Sequence, residues 1–365
     1  MNKNTKILIL GGYGSHNWGD DLQLYNNIRI LREKGFNNIK IISRDSYIGE
    51  LCKCKTIPSC HKFYNNYSSE NIKELKTKIL IDDFPELSKA LEWSDVLFFS
   101  GSGTLNTRNL VPLYIYLTPI ILASRLNKII ILSGQGFTPM NNAYMEEFIA
   151  MGLSKVNKIF TRDFNYGYKA LQRIGIDLSK VELGVDDAFT SKGDKIDLPP
   201  KTIGINISCF IQPNLIPEFY NLAVLLKKEG YNPIFNYFQR ETELIQKVTK
   251  NNFPIYTFKS PENLVGFHHA CYGYVGMRYH STILCLSGKT PVVNISGNIY
   301  QQEKINAIVD RTKIENISLT FKEANTDNMY NTLMKAIETQ PPKLKLINKK
   351  WNTKANLAIN YLEAL

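Results

Sequence analysis

Short continuous apolar runs alternate with stretches of helical spacing along most of this chain. Residues 6–10 read Lys-Ile-Leu-Ile-Leu and close on Gly11-Gly12, the pattern of a parallel strand buried on both faces. From Asp21 the apolar positions Leu22, Leu24, Tyr25, Ile28 and Leu31 recur at helical spacing up to Gly35. Residues 39–42 supply the next strand, so the chain opens as a βαβ unit. Further strands are predicted over residues 93–100, 128–132 and 158–161, with helices over 114–125 and from Arg162-Asp163 to near Arg173. Residues 45–75 read as irregular and polar. Successive strands end in glycine-containing loops, Gly11-Gly12, Gly101-x-Gly103 and Gly134-x-Gly136, and strand ends on one sheet edge would set these loops along one cleft.

Residues 190–201 turn polar around Gly193, Pro199 and Pro200 and read as a linker. A second series follows, with strands at 202–208, 232–237 and 291–295, helices over 217–230 and 241–250, and a mixed run at 264–276. In the tail, Trp351, Ala355, Ala358, Leu362 and Leu365 keep one apolar face at helical spacing, which needs a partner surface. The pattern predicts an α/β protein of two Rossmann-like domains facing across a cleft. Residues 1–192 form the first, 201–340 the second, and 341–365 a helical tail packing back on the N-terminal domain.

A length of 365 residues suits two domains better than one core. Hydrophobic residues make up 44% of the chain and charged ones 21%, a globular balance, and no run of 18 apolar residues predicts a membrane span. The apolar run after Lys6 is too short for a signal peptide and lacks a cleavage site, which predicts a cytoplasmic protein. The net charge of +11 comes with no Arg-rich tract and no nucleic-acid motif, so nucleic acid is not an expected partner. An acidic small molecule remains open, as does peripheral contact with an anionic membrane through Lys343, Lys345, Lys349, Lys350 and Lys354. Six cysteines suit a reduced compartment. Cys52-x-Cys54-x5-Cys60-His61 lacks a C-x2-C knuckle, so free thiols are expected and no metal site.

The usual phosphate-binding motifs fail. Gly12-x-Gly14 is followed by Asn17 where a dinucleotide fingerprint needs glycine, and Gly14-x4-Gly19 by Asp20-Asp21 where a P-loop needs Lys and Ser or Thr. Asn17, Asp20 and Asp21 lie at the first strand-to-helix junction. They suit hydrogen bonds to sugar hydroxyls, with Asp20 as a base, and equally suit helix capping. Tyr274-Val275-Gly276-Met277-Arg278-Tyr279-His280-Ser281 reads as strand, turn and helix start. Arg278 and His280 there fit an anionic substrate that needs proton transfer, or a structural ion pair and a cap. Arg162-Asp163 carries the same ambiguity, Glu182-x-Gly184-x-Asp186-Asp187 ends another strand on the same edge, and His268-His269 read as structural.

Taken in order, Gly12-Tyr13-x2-His16-Asn17-Trp18-Gly19-Asp20-Asp21, Ser100-Gly101-Ser102-Gly103-Thr104-Leu105, Ser133-Gly134-Gln135-Gly136, Thr161-Arg162-Asp163 and Gly276-Met277-Arg278-Tyr279-His280 resemble the polysaccharide pyruvyl transferase family. Pro291-Val292-Val293-x-Ile295 and Lys304 extend the match. Ser102 departs from a glycine of the family pattern and Tyr279 from a leucine. The resemblance implies a GT-B-like architecture and transfer of the enolpyruvyl group of phosphoenolpyruvate onto two hydroxyls of one sugar, giving a pyruvate ketal. It implies His280 and Asp20 as catalytic residues, and Arg278, Arg162, Lys304, Gly134 and Gly136 as donor contacts. Asn17, Asp21, Gly101 and Gly103 are the expected acceptor contacts, and Tyr64 and Tyr67 in the stretch 45–75 suit stacking on the sugar or, equally, surface packing. No cofactor is expected beyond phosphoenolpyruvate as co-substrate, and the partner is a sugar acceptor of a cell-surface polysaccharide or its precursor, free or lipid-linked. Two other readings stand beside it: a GT-B glycosyltransferase using a nucleotide sugar, and a non-catalytic glycan-binding or scaffold protein.

Overall fold

The computed structural model describes residues 1–64, 84–239 and 241–365. Two all-parallel sheets organise it. The first has the order β3-β2-β1-β4-β5-β6-β7. Its strands are β1 Ile7–Leu10, β2 Ile39–Ser43, β3 Lys55–Pro58, β4 Val96–Phe99, β5 Ile129–Gln135, β6 Lys158–Thr161 and β7 Val181–Leu183. The second has the order β10-β9-β8-β11-β12-β13. It comprises β8 Thr202–Asn206, β9 Asn232–Asn236, β10 Ile255–Tyr256, β11 Gly273–Gly276, β12 Val292–Ser296 and β13 Ser318–Thr320.

Both orders reverse direction beside their first strand, the doubly wound arrangement in which ligands bind at the carboxyl ends next to the switch point. In the first sheet that point lies between β1 and β4, and in the second between β8 and β11. The continuous apolar runs follow from burial on both faces. Leu8, Leu10, Leu97 and Phe99 enter one core, while Ile7, Ile9, Val96 and Phe98 enter the core on the opposite face.

The chain divides into two compact units: residues 1–15, 20–187 and 354–365, and residues 16–19 and 188–353. Residues 16–19 therefore group with the second unit, and the last twelve with the first, which the contiguous ranges 1–192, 201–340 and 341–365 do not describe. The tail is also two helices rather than one. Thr326–Asn352 runs through Pro341 and Pro342 and carries Trp351 in its last turn, packed edge-on against Phe189. Asn356 then adopts a left-handed backbone (φ +58°), and the helix Leu357–Ala364 buries Ala358, Ile359 and Leu362 in a core of the first unit.

Residues 45–64 of the stretch 45–75 hold more order than their polarity predicts, with a helix at Tyr47–Cys52, strand β3 and a short helix at His61–Tyr64. Tyr64 is buried among Phe63, Phe84 and Tyr114 and shares a hydrogen bond of 2.6 Å with Thr118 Oγ1, so it serves packing and not sugar stacking. Tyr67 lies outside the described residues. No helix among the described residues is long and apolar enough to cross a membrane.

Candidate active site

The central strand β11 delivers the chain to the switch point of the second sheet, where Arg278 stays extended (φ −94°, ψ 132°) and the helix Tyr279–Gly288 begins. The first backbone N–H groups of such a helix have no partner within it and favour an anion. Asn294, on neighbouring β12, fixes this turn: its Nδ2 donates to the Arg278 carbonyl at 3.3 Å and to Thr282 Oγ1 at 3.1 Å. The Arg278 guanidinium pairs with the buried Glu241 carboxylate, and its Nη2 donates to Gln239 Oε1 at 3.5 Å. A guanidinium has five donors in a rigid fork, so one carboxylate can fix its direction and leave other donors for a ligand.

His280 is the second residue of this helix and is only 7% exposed. Gly19 lies against its ring so closely that a Cβ at that position would overlap the imidazole. Three features hold the 16–19 segment there. His16 takes a left-handed backbone (φ +55°), Trp18 N–H donates to the Phe238 carbonyl at 3.0 Å, and Gly19 N–H donates to Asn17 Oδ1 at 3.2 Å. Asn17 thus shapes the turn beside His280, as the capping reading has it.

Tyr279 stands edge-on to His280, with ring centres 5.2 Å apart. Lys304 Nζ lies 5.3 Å from the Tyr279 ring centre and 4.3 Å from that of Tyr300, cation–π distances that hold the ammonium over two aromatic faces. Its helix, Ile299–Thr312, is anchored by a capping box between Asn298 and Gln301. Tyr279, the departure from the family's leucine, is therefore what links His280 to Lys304. The second unit brings together Arg278, His280, Lys304 and Asn17.

The other predicted residues belong to the first unit, where most of them enclose a pair of carboxylates. Arg162 Nη1 lies 2.9 Å from Asp186 Oδ2, with the two side chains 4% and 1% exposed. Gln23 Nε2 donates to both Asp186 oxygens at 3.0 Å. Asp187 accepts from Asn27 Nδ2 at 2.6 Å, Gly101 N at 2.7 Å and Ser133 Oγ at 2.7 Å. Added Cβ atoms at Gly101 and Gly134 would strike Asp187, and one at Gly136 would strike the Arg162 guanidinium. Glycine is required there for close approach, and Gly134 also for its positive φ of 53°.

The remaining predicted contacts are also engaged. The Gly103 carbonyl accepts from Asn106 Nδ2 at 2.6 Å. Asp21 accepts from Gly14 N at 2.9 Å and from the Tyr47 hydroxyl at 2.5 Å, which ties the first glycine loop to the helix Tyr47–Cys52. Asp20 is partly exposed in the first turn of the helix Trp18–Glu33. Ser102, the other departure, donates to Thr104 Oγ1 at 2.7 Å and closes its own turn. His268, stacked on Tyr274, is held neutral, its pKa lowered to about 3 by burial, and His269 bonds Ser287 Oγ at 2.9 Å.

Burial pushes the Asp187 carboxyl up from 3.8 to about 6, against its three hydrogen-bond donors and with a smaller push from Asp186. The folded protein then holds this proton more tightly than the unfolded chain. The contribution is full below pH 3.8 and is lost as pH rises through 6, about 3 kcal/mol in all. Urea unfolding between pH 4 and 7 should show this fall in wild type, and Asp187→Asn, which cannot titrate, should remove it from the profile. Superimposable profiles would contradict the assignment.

Glu241, Gln239 and Gln23 were not visible as site residues in the sequence, since each lies on a different segment from the residue it supports. Asp186-Asp187 carried a signal, an acidic pair just past a strand end.

The fold is shared with solved structures of an epimerase and of glycosyltransferases. An S. aureus MnaA structure with UDP aligns at TM-score 0.62 and 12% identity, covering 97% of this chain and 93% of that one. A putative UDP-N-acetylglucosamine 2-epimerase from Listeria monocytogenes aligns at 0.62 and 10%, covering 97% and 92%. The calicheamicin glycosyltransferase CalG4 aligns at 0.63 and 10%, covering 100% and 98%. These likenesses show a GT-B fold of two parallel-sheet α/β domains. No curated protein matches the chain in sequence. The polysaccharide pyruvyl transferase family model matches residues 17–298, from the turn beside His280 through the second and third glycine loops, Arg162 and the Arg278-x-His280 motif, and the protein belongs to that family of transferases.

Proposed function

We propose that the protein transfers the enolpyruvyl group of phosphoenolpyruvate to two hydroxyls of one sugar in a cell-surface polysaccharide or its precursor. The observation that carries this reading is the grouping of Arg278, His280 and Lys304 at a helix N-terminus on the switch point of the second sheet. Phosphoenolpyruvate presents a carboxylate and a phosphate, and two cations at the positive end of a helix suit both.

In this reading His280 moves the proton at C3. The methylene gains a proton, C2 becomes electrophilic, and the first sugar oxygen bonds to it. The C2–O bond to phosphate then breaks, and the second sugar oxygen closes the ketal. One hydroxyl proton replaces the one placed on C3, and the other leaves with phosphate. Asp20, partly exposed, is the candidate base for a sugar hydroxyl. Lys345, Leu346, Lys349 and Lys350 are exposed on one stretch of the helix Thr326–Asn352, a surface suited to an anionic membrane carrying a lipid-linked acceptor.

Calorimetric titration of phosphoenolpyruvate tests the donor site. Replacing Arg278 and Glu241 together by glutamine leaves no bare buried carboxylate and removes the charged contact. Affinity is expected to fall more than tenfold, the loss of about 1.5–3 kcal/mol typical of a hydrogen bond to a charged group. Wild type that ignores phosphoenolpyruvate but binds UDP would turn the assignment to a nucleotide-sugar transferase.

A further inference from the structure

A cavity of about 680 Å³ opens in the second unit, lined by none of Arg278, His280 and Lys304. Its walls come from the segments that follow β8, β12 and β13 and from the helices those segments lead into. In a parallel sheet these all lie at the carboxyl edge, the edge on which β11 presents Arg278. Gln302, in one wall, is on the same helix as Lys304.

The lining has a definite chemistry. Gln212, Asn214 and Gln302 present side-chain amides, and among the described residues none of the three amides is engaged in a hydrogen bond. An amide donates and accepts, as a sugar hydroxyl does. Lys322 is the one cation in the wall, and Glu218 the one carboxylate, itself accepting from Thr326 N at 2.7 Å and Thr326 Oγ1 at 2.6 Å. The wall holds no arginine and no net positive charge, so it does not suit a phosphate. Leu215, Phe321 and Ala324 add an apolar side to this mostly polar wall, and the volume is that of a small-ligand pocket.

We infer that this cavity binds an uncharged saccharide, the sugar portion of the acceptor. The acceptor role rests on the pyruvyl-transfer reading, while the saccharide site itself stands on the cavity alone. The amide wall of the second unit then holds a sugar residue of the acceptor, with Gln302 supplied by the helix that carries Lys304.

Saturation-transfer NMR and calorimetry with galactose, lactose and N-acetylglucosamine test this on the full chain, with UDP and phosphoenolpyruvate titrated in parallel. At least one saccharide is expected to bind wild type. Gln302→Ala with Asn214→Ala should weaken that binding roughly tenfold or more through the loss of two hydrogen-bonding side chains, with phosphoenolpyruvate affinity unchanged. Gln302→Trp, which fills the cavity, should abolish it. Saccharide binding that survives both variants overturns the inference, as does failure of all three sugars to bind, or displacement of the sugar by UDP. Sugar binding that responds to the variants in a protein that ignores phosphoenolpyruvate would keep the saccharide site and remove the donor assignment.

Discussion

Replacing His280 with glutamine is expected to slow ketal formation by about 10²–10⁴-fold, the usual worth of a positioned acid or base, while phosphoenolpyruvate still binds. The expectation follows from where the ring sits. His280 is buried against the Gly19 backbone in the first turn of its helix, and Tyr279 crosses it edge-on. Glutamine retains hydrogen-bonding capacity and much of the volume, so packing beside Gly19 changes little, but it cannot carry a proton at neutral pH. Phosphate release from phosphoenolpyruvate in the presence of acceptor reads the chemistry, and calorimetry reads binding separately. Loss of turnover with affinity retained assigns His280 to proton transfer and excludes a scaffold protein. Turnover near wild type would mean that the ring only packs, and the proton at C3 would need another source.

The strands that build this site were legible because burial on both faces leaves a continuous apolar run. Ile7–Leu10 and Val96–Phe99 read as strands for the same reason that their alternate residues fill opposite cores. The stretch 45–75 was not legible, because its strand Lys55–Pro58 lies at the sheet edge with alternating exposure and buries few apolar groups. Apolar spacing in the tail suggested one helix, since spacing does not register a left-handed residue such as Asn356.

Within the site, the motif Arg278-x-His280 was readable because strand, turn and helix are consecutive in the chain. Its counter-ion Glu241 was not, since only the pairing of β8 with both β9 and β11 brings that loop alongside. The glycine loops read as cradles for a ligand. In the folded protein Gly101, Gly134 and Gly136 lie against Asp187 and Arg162, so close approach to protein groups accounts for the glycines without a ligand. A sequence records that a loop must lack a Cβ, and not what presses against it.

Asp186→Ala is expected to cost the first unit about 3–5 kcal/mol, because it leaves a buried guanidinium without its carboxylate. Arg162 and Asp186 are 4% and 1% exposed and 2.9 Å apart, so water cannot substitute for the missing charge. Urea denaturation should report the loss as a lower midpoint. Replacing the pair together, Arg162→Met with Asp186→Leu, removes both charges and should recover most of it, since buried ion pairs exchange for apolar groups at little net cost. Recovery stays short by about 1 kcal/mol, because Gln23 loses the oxygens to which its amide donates. The restored double variant then decides the role of Arg162 in catalysis, which the single variant cannot, because its defect confounds folding with binding. If Arg162 also contacts the donor, phosphoenolpyruvate affinity falls at least tenfold in a protein of near wild-type stability. If affinity is unchanged, Arg162 is the structural partner of Asp186, and donor recognition belongs to Arg278 and Lys304 in the second unit.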